Sequence, residues 1–477
     1  MTVMRVNMGG VKTIPRTKIS YNVGACLDVP SGKFKTGLHG ESYLNGGIGL
    51  MGGVAGKPNT YKSLLMEFML LSSMERYRTQ GIIYDTELNK QADRLHQLAN
   101  RFPGLRGRDL FDEESLIVSD RTNYSANEWY DWFKTFMDSK VKDRSKLMLT
   151  SPFLHPTTNE PIRTIVPTSV LIDSFTKFEA DATTEKLDES LGSKKVLTMY
   201  MQQGLTKAHF LTDVPKRLAE SGCNLFMSAH VGQNIPMDGA MHPSKQMQFL
   251  SQQDKIKGVT NDWLYMTTIF WMCLNSMVMK HDGTKGAEYP KESIDNEPGN
   301  SDLNLVTLQS VRNKNGPSGK MVKVVVSQRE GVLSGLTEFE YIKSNDRYGM
   351  GGNNTTYFLD LLPETKLMRT TVRGKLDTDP KLARAMNLTS EICQQTYSEA
   401  GEEDLFVPMA QLYDEIRTRG YDWDVLLNTR GWWTFQEYED QELPFLSSRD
   451  LLNIRRGYHP YWLAADKKTI IAKKSKR

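Results

Sequence analysis

Cysteine, net charge and long apolar runs are all scarce in this chain of 477 residues. Its four cysteines lie far apart in the sequence, at Cys26, Cys223, Cys273 and Cys393. This spacing argues against a disulfide framework and a cysteine metal cluster, and it predicts buried free thiols in a reducing compartment. The formal net charge of +3 is too small to indicate a nucleic-acid partner by itself.

The chain also lacks a long uninterrupted apolar segment. Its most apolar stretch, Trp263 to Met279, is short for a bilayer crossing and is interrupted by Asn275. Residues 1–8 contain no extended apolar run, so we expect no secretory signal peptide. Together these features predict a soluble, intracellular protein without a membrane partner. The length allows about three domains and a substantial core.

Apolar runs of strand length alternate with helical patterns through much of the chain. Such alternation is typical of a mostly parallel sheet with helices on both faces, so we predict an α/β fold. Two apolar runs that flank the polar turn at 313–319 predict an antiparallel extension of this sheet. The predicted organisation is, in chain order, a lead-in and possible protomer-contact segment at 1–40, the α/β core at 41–350 with a helical insertion at about 99–165, a smaller C-terminal α+β domain at 355–465 and a basic tail at 466–477.

The most informative motif is a loop with glycine and lysine between an apolar run and a helical run. It consists of Gly56, Lys57, Pro58, Asn59, Thr60, Tyr61, Lys62 and Ser63, and Leu64 opens the helical run. Backbone N–H groups of such a loop and of the helix start point at an anion, while a lysine contacts the outer phosphate oxygens. The order therefore predicts a nucleotide phosphate site, although Tyr61 replaces the second glycine of the common pattern. A helix capped after a glycine turn is the alternative.

Three further side chains stand at or just past the ends of strand-like runs. Asp173 is placed to reach a Mg²⁺ ion together with the hydroxyl of Ser63. Glu87 is placed to orient and activate a water molecule, with Asp85 as the competing candidate. His230 is placed to contact a terminal phosphate. Taken singly, each residue has a structural alternative as a helix cap, an exposed acid or a packed histidine.

In this order, the motifs resemble the RecA recombinase family, and most closely its phage UvsX-type branch, over about residues 40–345. The branch similarly has an aromatic residue before the loop lysine, as at Tyr61. Asp85-Thr86-Glu87 is similar to the family's Asp-x-Glu, in which the glutamate is catalytic, and this favours Glu87 over Asp85. The resemblance implies a RecA-like phosphate-loop ATPase core, with ATP and Mg²⁺ as cofactors.

The resemblance also implies roles for residues later in the core. Val311-Arg312-Asn313-Lys314 is similar to a basic hairpin of the family, from which two basic residues reach the ATP of a neighbouring subunit. Arg312 and Lys314 are therefore expected to complete a neighbour's nucleotide site. His230 matches the strand-end residue that couples nucleotide state to DNA.

Segments after Asp173 and after His230 face the filament axis in the family and hold single-stranded DNA. The lysines of these segments are the candidate phosphate contacts, namely Lys194, Lys195, Lys245, Lys255 and Lys257. The first segment carries an excess of acidic residues, so the second is the stronger candidate. The arginines and tryptophans of the C-terminal domain are either a duplex-binding surface or a domain core, and the basic tail either adds DNA affinity or only solubilises the chain.

The expected function is an ATP-dependent DNA recombinase that forms filaments on single-stranded DNA and promotes homologous pairing and strand exchange in recombination and repair. The expected partners are single-stranded and double-stranded DNA, further copies of the chain, and loader and single-strand-binding proteins, in the cytoplasm of a bacterial host. Two alternatives stay open. One is a ring-forming helicase of the DnaB type with the same core, and the other is a nucleotide-gated DNA-binding structural or loader protein with little turnover.

Overall fold

A computed structural model describes residues 18–178, 195–233, 245–258, 261–398, 403–438 and 443–471. In these residues the strands are, in chain order, β1 (Lys33–Thr36), β2 (Ser42–Asn45), β3 (Met51–Gly56), β4 (Gln80–Asp85), β5 (Leu116–Asp120), β6 (Met148–Leu154), β7 (Pro161–Ile165), β8 (Thr168–Asp173), β9 (Cys223–Gln233), β10 (Asp254–Ile256), β11 (Ile269–Val278), β12 (Leu303–Asn313), β13 (Met321–Ser327), β14 (Gly331–Val332), β15 (Met350–Gly352), β16 (Thr356–Leu359) and β17 (Leu362–Met368). The α-helices are α1 (Asp28–Ser31), α2 (Lys62–Tyr77), α3 (Ala92–Ala99), α4 (Ala126–Lys142), α5 (Arg144–Leu147), α6 (Lys195–Ser221), α7 (Asn261–Met266), α8 (Ser334–Ser344), α9 (Val372–Thr378), α10 (Pro380–Ser398), α11 (Met409–Thr418), α12 (Trp423–Leu427) and α13 (Ser448–Ile454).

One large sheet of ten strands dominates the described part of the chain. Its order is β14-β13-β12-β11-β3-β9-β8-β4-β5, and β10 pairs with β9. The strands from β11 to β5 pair in parallel, whereas β12, β13 and β14 add an antiparallel extension. The α/β class and the mostly parallel central sheet are therefore confirmed, as is the antiparallel pair on either side of 313–319. The carboxyl ends of β3, β4, β8 and β9 meet at one edge, where open α/β sheets bind ligands.

Strand β3 lies near the middle of the sheet and is buried along its whole length. Its glycines leave room for aromatic rings from neighbouring elements. A Cβ atom added to Gly53 would lie 2.6 Å from ring carbons of both Phe270 and Trp263, so a larger residue there would displace these rings. The glycine-rich run thus forms a central strand because large side chains on its neighbours fill the space that it leaves.

Residues 99–165 differ from the helical insertion predicted for them. They do contain α4, which begins at a capping box between Ser125 and Glu128. However, β5 joins the central sheet as an edge strand parallel to β4, with Leu116 beside Gly81, and β6 and β7 form a separate antiparallel pair. The insertion prediction was wrong for β5 because the apolar run at 116–118 is too short to stand out from its polar surroundings.

The described part of the lead-in contributes to the main core. Tyr21, Val23 and Leu27 are buried in the main hydrophobic core. The carboxylate of Asp28 accepts hydrogen bonds from the backbone N–H groups of Val23 and Gly24 at 2.7 and 2.8 Å. Residues 18–32 therefore pack into the folded core, although the segment 18–40 has little regular structure beyond α1 and β1, as its prediction as an irregular or lightly structured lead-in implies. Residues 1–17 lie outside the described residues.

The C-terminal part combines helices with the antiparallel sheet β15-β16-β17. A second hydrophobic cluster joins this sheet to α8, α10, α11, α12 and α13. Trp433 instead enters the main core, where it contacts the rings of Tyr21, Tyr77 and Phe153. Trp433 therefore has a packing role, and it attaches its segment of the C-terminal part to the core formed by residues near Tyr21, by α2 and by β6.

The structure also bears on the cysteines and on the apolar segments. All four cysteines are free and buried, as predicted. Among the described helices, none combines the length and the apolar character that a bilayer crossing requires.

Glu338 lines a cavity of about 710 Å³ between α2, α8 and α10. Burial raises the pKa of this carboxyl group to about 8, against the opposing hydrogen bond from Asn387. The folded protein therefore holds a proton that the unfolded chain releases above about pH 4, and this lowers stability by up to about 1.4 kcal/mol for each pH unit up to about pH 8.

We expect Glu338→Gln to stabilise the protein increasingly from pH 5 to pH 8. The amide remains neutral, so the variant does not lose stability through this group as the pH rises. Urea unfolding of both proteins at several pH values would measure the difference, with the exposed Glu364→Gln as the control. An advantage of Glu338→Gln that is constant across this pH range would contradict the assignment.

Candidate functional site

The predicted nucleotide loop connects β3 to α2 at the carboxyl edge of the sheet. Asn59 and Tyr61 both adopt left-handed backbone conformations, with φ of 60° and 56°, and Tyr61 is the N-cap of α2. This conformation is the one that glycine adopts most easily, so a glycine at position 61 would take it at a lower cost than Tyr61 does. The Thr60 hydroxyl donates to the carbonyl of Lys57 at 2.7 Å and closes the loop. Leu64 packs against the main core.

Asp173 ends β8 and is fully buried. Its Oδ1 accepts a hydrogen bond from the Ser228 hydroxyl at 2.5 Å, and its Oδ2 lies 2.6 Å from Nζ of Lys90. Burial alone would raise the pKa of Asp173, but the charge of Lys90 and hydrogen bonds from Lys90, Ser228 and Ser63 lower it. The carboxylate is therefore charged, and Ser63 at the start of α2 contacts it.

Lys90 is a site residue that the sequence analysis missed. Its ammonium group bridges Asp173 and Glu67, with 2.6 Å to each carboxylate, and its side chain is 5% exposed. Burial favours the neutral amine, yet the two carboxylates raise its pKa above the usual value. A lysine in a polar stretch of sequence is normally expected to be exposed to solvent. The available signal was Glu67, an acid within the apolar run at 64–71 that needs a buried partner.

Glu87 and His230 face each other across the carboxyl edge. Nε2 of His230 lies 2.5 Å from Oε1 of Glu87. This hydrogen bond, against the opposing effect of burial, lowers the pKa of Glu87. The competing candidate Asp85 has another role, since its carboxylate accepts backbone N–H groups of Glu87, Asn89 and Lys90 at 2.7 to 3.0 Å. Asp85 thus shapes the loop, and Glu87 projects from it.

Arg312 and Lys314 lie at the opposite end of the sheet's strands, where the parallel strands begin. Arg312 pairs with Phe270 on β11, and Phe270 pairs with Gly53 on β3, whereas the nucleotide loop begins further along β3, at Gly56. Burial lowers the pKa of Lys314, and the charges of Arg312 and Lys18 lower it further. The two basic residues are therefore close together but remote from the nucleotide loop of their own chain.

The predicted DNA-contacting lysines belong to two segments, one after Asp173 and one after His230. Lys194 lies outside the described residues, and Lys195 is the first residue of α6. Lys245, Lys255 and Lys257 are exposed. The segment after His230 is not simply a loop, because β9 continues to Gln233 and β10 returns beside it. Nζ of Lys57 lies 3.2 Å from Oδ1 of Asp254, so the nucleotide loop touches the antiparallel pair of β9 and β10.

The donors at this edge fit a Mg²⁺ ion that is bound together with nucleotide phosphates. Ser63 and Asp173 offer the hydroxyl and carboxylate oxygens that Mg²⁺ prefers. Within the described ranges, no group of three or more histidine, cysteine, aspartate or glutamate side chains is suited to holding a metal. Further oxygens would have to come from the nucleotide and from water, which is usual for Mg²⁺ at phosphate sites.

No model of a protein family matches the chain, and no curated protein matches it.

Proposed function

We propose that this chain is a RecA-type, DNA-dependent ATPase that forms filaments on single-stranded DNA and promotes homologous pairing and strand exchange. The observation that carries the proposal is the meeting of Lys62, Ser63, Asp173, Glu87 and His230 at one edge of a mostly parallel sheet. Each has a chemical role in phosphoryl transfer to water, and their order along the chain is that of the RecA family.

The proposed mechanism assigns one task to each side chain. Lys62, in the first turn of α2, binds the outer phosphates, and the N–H groups of the loop bind the others. A bound Mg²⁺ ion would supply charge neutralisation at the phosphates, with Ser63 and Asp173 as the residues that hold it. Glu87 orients the attacking water. His230 contacts Glu87, and in this proposal the γ-phosphate competes with Glu87 for His230.

Arg312 and Lys314 require a second copy in this proposal. They lie toward the amino ends of the parallel strands, away from the nucleotide loop, which supports a role at the nucleotide of a neighbouring subunit. A site that is shared in this head-to-tail way leads to an open helix or to a closed ring. The recombinase corresponds to the helix, and the helicase alternative corresponds to the ring.

Electron microscopy tests the proposal most directly. We expect the purified protein to form continuous helical filaments with single-stranded DNA and a non-hydrolysable ATP analogue. Lys62→Ala should form none under the same conditions. Closed six-membered rings would favour the helicase, and isolated particles would contradict the filament proposal.

Mixing two inactive variants tests the shared site. Lys62→Ala and Arg312→Ala should each lack ATPase activity, because each removes one half of every site. An equimolar mixture should recover activity up to about a quarter of the wild-type value, since a random head-to-tail assembly pairs two intact halves at that frequency and poor assembly of Lys62→Ala lowers it. The double variant mixed with either single variant is the control and should recover none. Full activity of Arg312→Ala alone would place Arg312 outside the site, and no recovery in the first mixture would contradict a site shared between chains.

A further inference from the structure

We propose that Lys90 is a positioning residue of the nucleotide site, and that its charge keeps free divalent cations away from Asp173 until nucleotide phosphates are present. This inference rests on the proposed nucleotide-binding function. It concerns a buried lysine that has no part in the motifs discussed above.

The first support is the position of the ammonium group. Nζ of Lys90 lies 2.6 Å from Oδ2 of Asp173 and 2.6 Å from Oε1 of Glu67. All three side chains are less than one tenth exposed. A buried ion pair holds its members in one geometry, because either charge left alone would be strongly destabilising. Lys90 therefore fixes the orientation of Asp173, which also contacts Ser63.

The second support is the backbone around Lys90. The N–H of Lys90 donates to Asp85 at 2.7 Å, and the N–H of Thr86 donates to the carbonyl of Asp173 at 2.8 Å. The loop at 86–90 is thus attached to the ends of both β4 and β8. Glu87 lies within this loop, so the anchor at Lys90 also limits where the Glu87 carboxylate can move.

The third support is the charge balance at the site. Without Lys90, the carboxylates of Glu67 and Asp173 would share a buried space with no positive charge between them. A divalent cation would then replace the ammonium group, since carboxylate oxygens are its preferred ligands. With Lys90 present, its ammonium group already neutralises the carboxylates of Glu67 and Asp173. A metal ion then gains less binding free energy from Asp173. Metal binding then depends on the oxygens that nucleotide phosphates supply.

Binding of Mn²⁺ to the nucleotide-free protein measures this effect without any catalysis. Electron paramagnetic resonance titration should show weak binding to the wild type. Lys90→Met should bind Mn²⁺ at least about tenfold more tightly, because two buried carboxylates lose their counter-charge. The control Lys134→Met removes a lysine that pairs with Asp131 on α4, and it should leave the affinity unchanged. Unchanged affinity in folded Lys90→Met would overturn the proposal.

A second variant covers the case in which Lys90→Met does not fold. Glu67→Gln/Lys90→Met removes one charge of each sign and keeps the net charge of the cluster. We expect it to fold and to bind Mn²⁺ as weakly as the wild type. Its kcat for ATP hydrolysis should be at least about tenfold lower with KM within about twofold, because Asp173 and the loop of Glu87 lose their anchor. A wild-type kcat in this variant would overturn the positioning role.

Failure of the proposed nucleotide-binding function would give a different result from failure of the proposal for Lys90. Binding of a fluorescent ATP analogue to the wild type is measured first, and no binding would reject the nucleotide site itself. Normal binding by the wild type, combined with unchanged Mn²⁺ affinity and kcat in the variants, would reject only the role of Lys90.

Discussion

Glu87→Gln should slow ATP hydrolysis by about 10²- to 10⁴-fold while leaving nucleotide binding nearly unchanged. The amide has almost the same shape as the carboxylate, but it cannot accept a proton from the attacking water. Filaments on single-stranded DNA should therefore form and then persist, because hydrolysis no longer releases them. Steady-state phosphate release and filament lifetime under the microscope are the two measurements.

The control for this experiment is Glu220→Gln, which changes an exposed glutamate at the end of α6. It should match the wild type in both measurements. Retention of full turnover in Glu87→Gln would remove Glu87 from the chemistry. Strand-exchange activity that persists despite lost turnover would instead favour the nucleotide-gated structural or loader protein.

Trp433→Ala should destabilise the protein by about 3–5 kcal/mol, the usual effect of removing a buried tryptophan. Trp433 is fully buried, and its indole N–H donates to the carbonyl of Ser20 at 3.2 Å. The variant would leave a cavity among Tyr21, Tyr77 and Phe153, which come from three separate parts of the chain. Urea unfolding followed by circular dichroism would measure the loss.

Trp132→Ala provides the matched control, because Trp132 is only partly buried on α4. We expect it to cost clearly less stability than Trp433→Ala. Equal losses in the two variants would mean that Trp433 does not hold the C-terminal part to the core. A separate early transition in Trp433→Ala would show that this part can detach while the central sheet remains folded.

The positions at strand ends could be predicted because their signal is local. Asp173 ends a continuous apolar run, and such runs form buried parallel strands. His230 lies inside β9, three residues before its end, and not at the strand end predicted for it. The carboxyl ends of these strands meet at one edge, so residues far apart in sequence can be expected together. The loop could be predicted although Tyr61 replaces a glycine of the common pattern, because residues other than glycine can adopt a left-handed backbone conformation at some cost.

Other features could not be predicted because they depend on distant partners. Lys90 is buried only because Glu67 and Asp173 lie on either side of it, and these come from α2 and β8. Residues 18–31 have no regular periodicity, yet the core buries Tyr21 and Leu27. The short strand β5 forms because β4 offers it a free edge. In each case tertiary contacts outweigh the local pattern.

The separation of Arg312 from the loop at 56–63 has a consequence for activity that depends on assembly length. If a complete site needs the loop of one copy and the basic pair of the next, then one end of an open filament carries an unused loop and the other an unused basic pair. Activity per chain would be low in short assemblies and would rise toward a plateau as filaments lengthen. A closed ring has no ends, so its activity per chain would be the same in every assembled particle. Hydrolysis rates measured on DNA strands of increasing length thus distinguish the two architectures by kinetics alone.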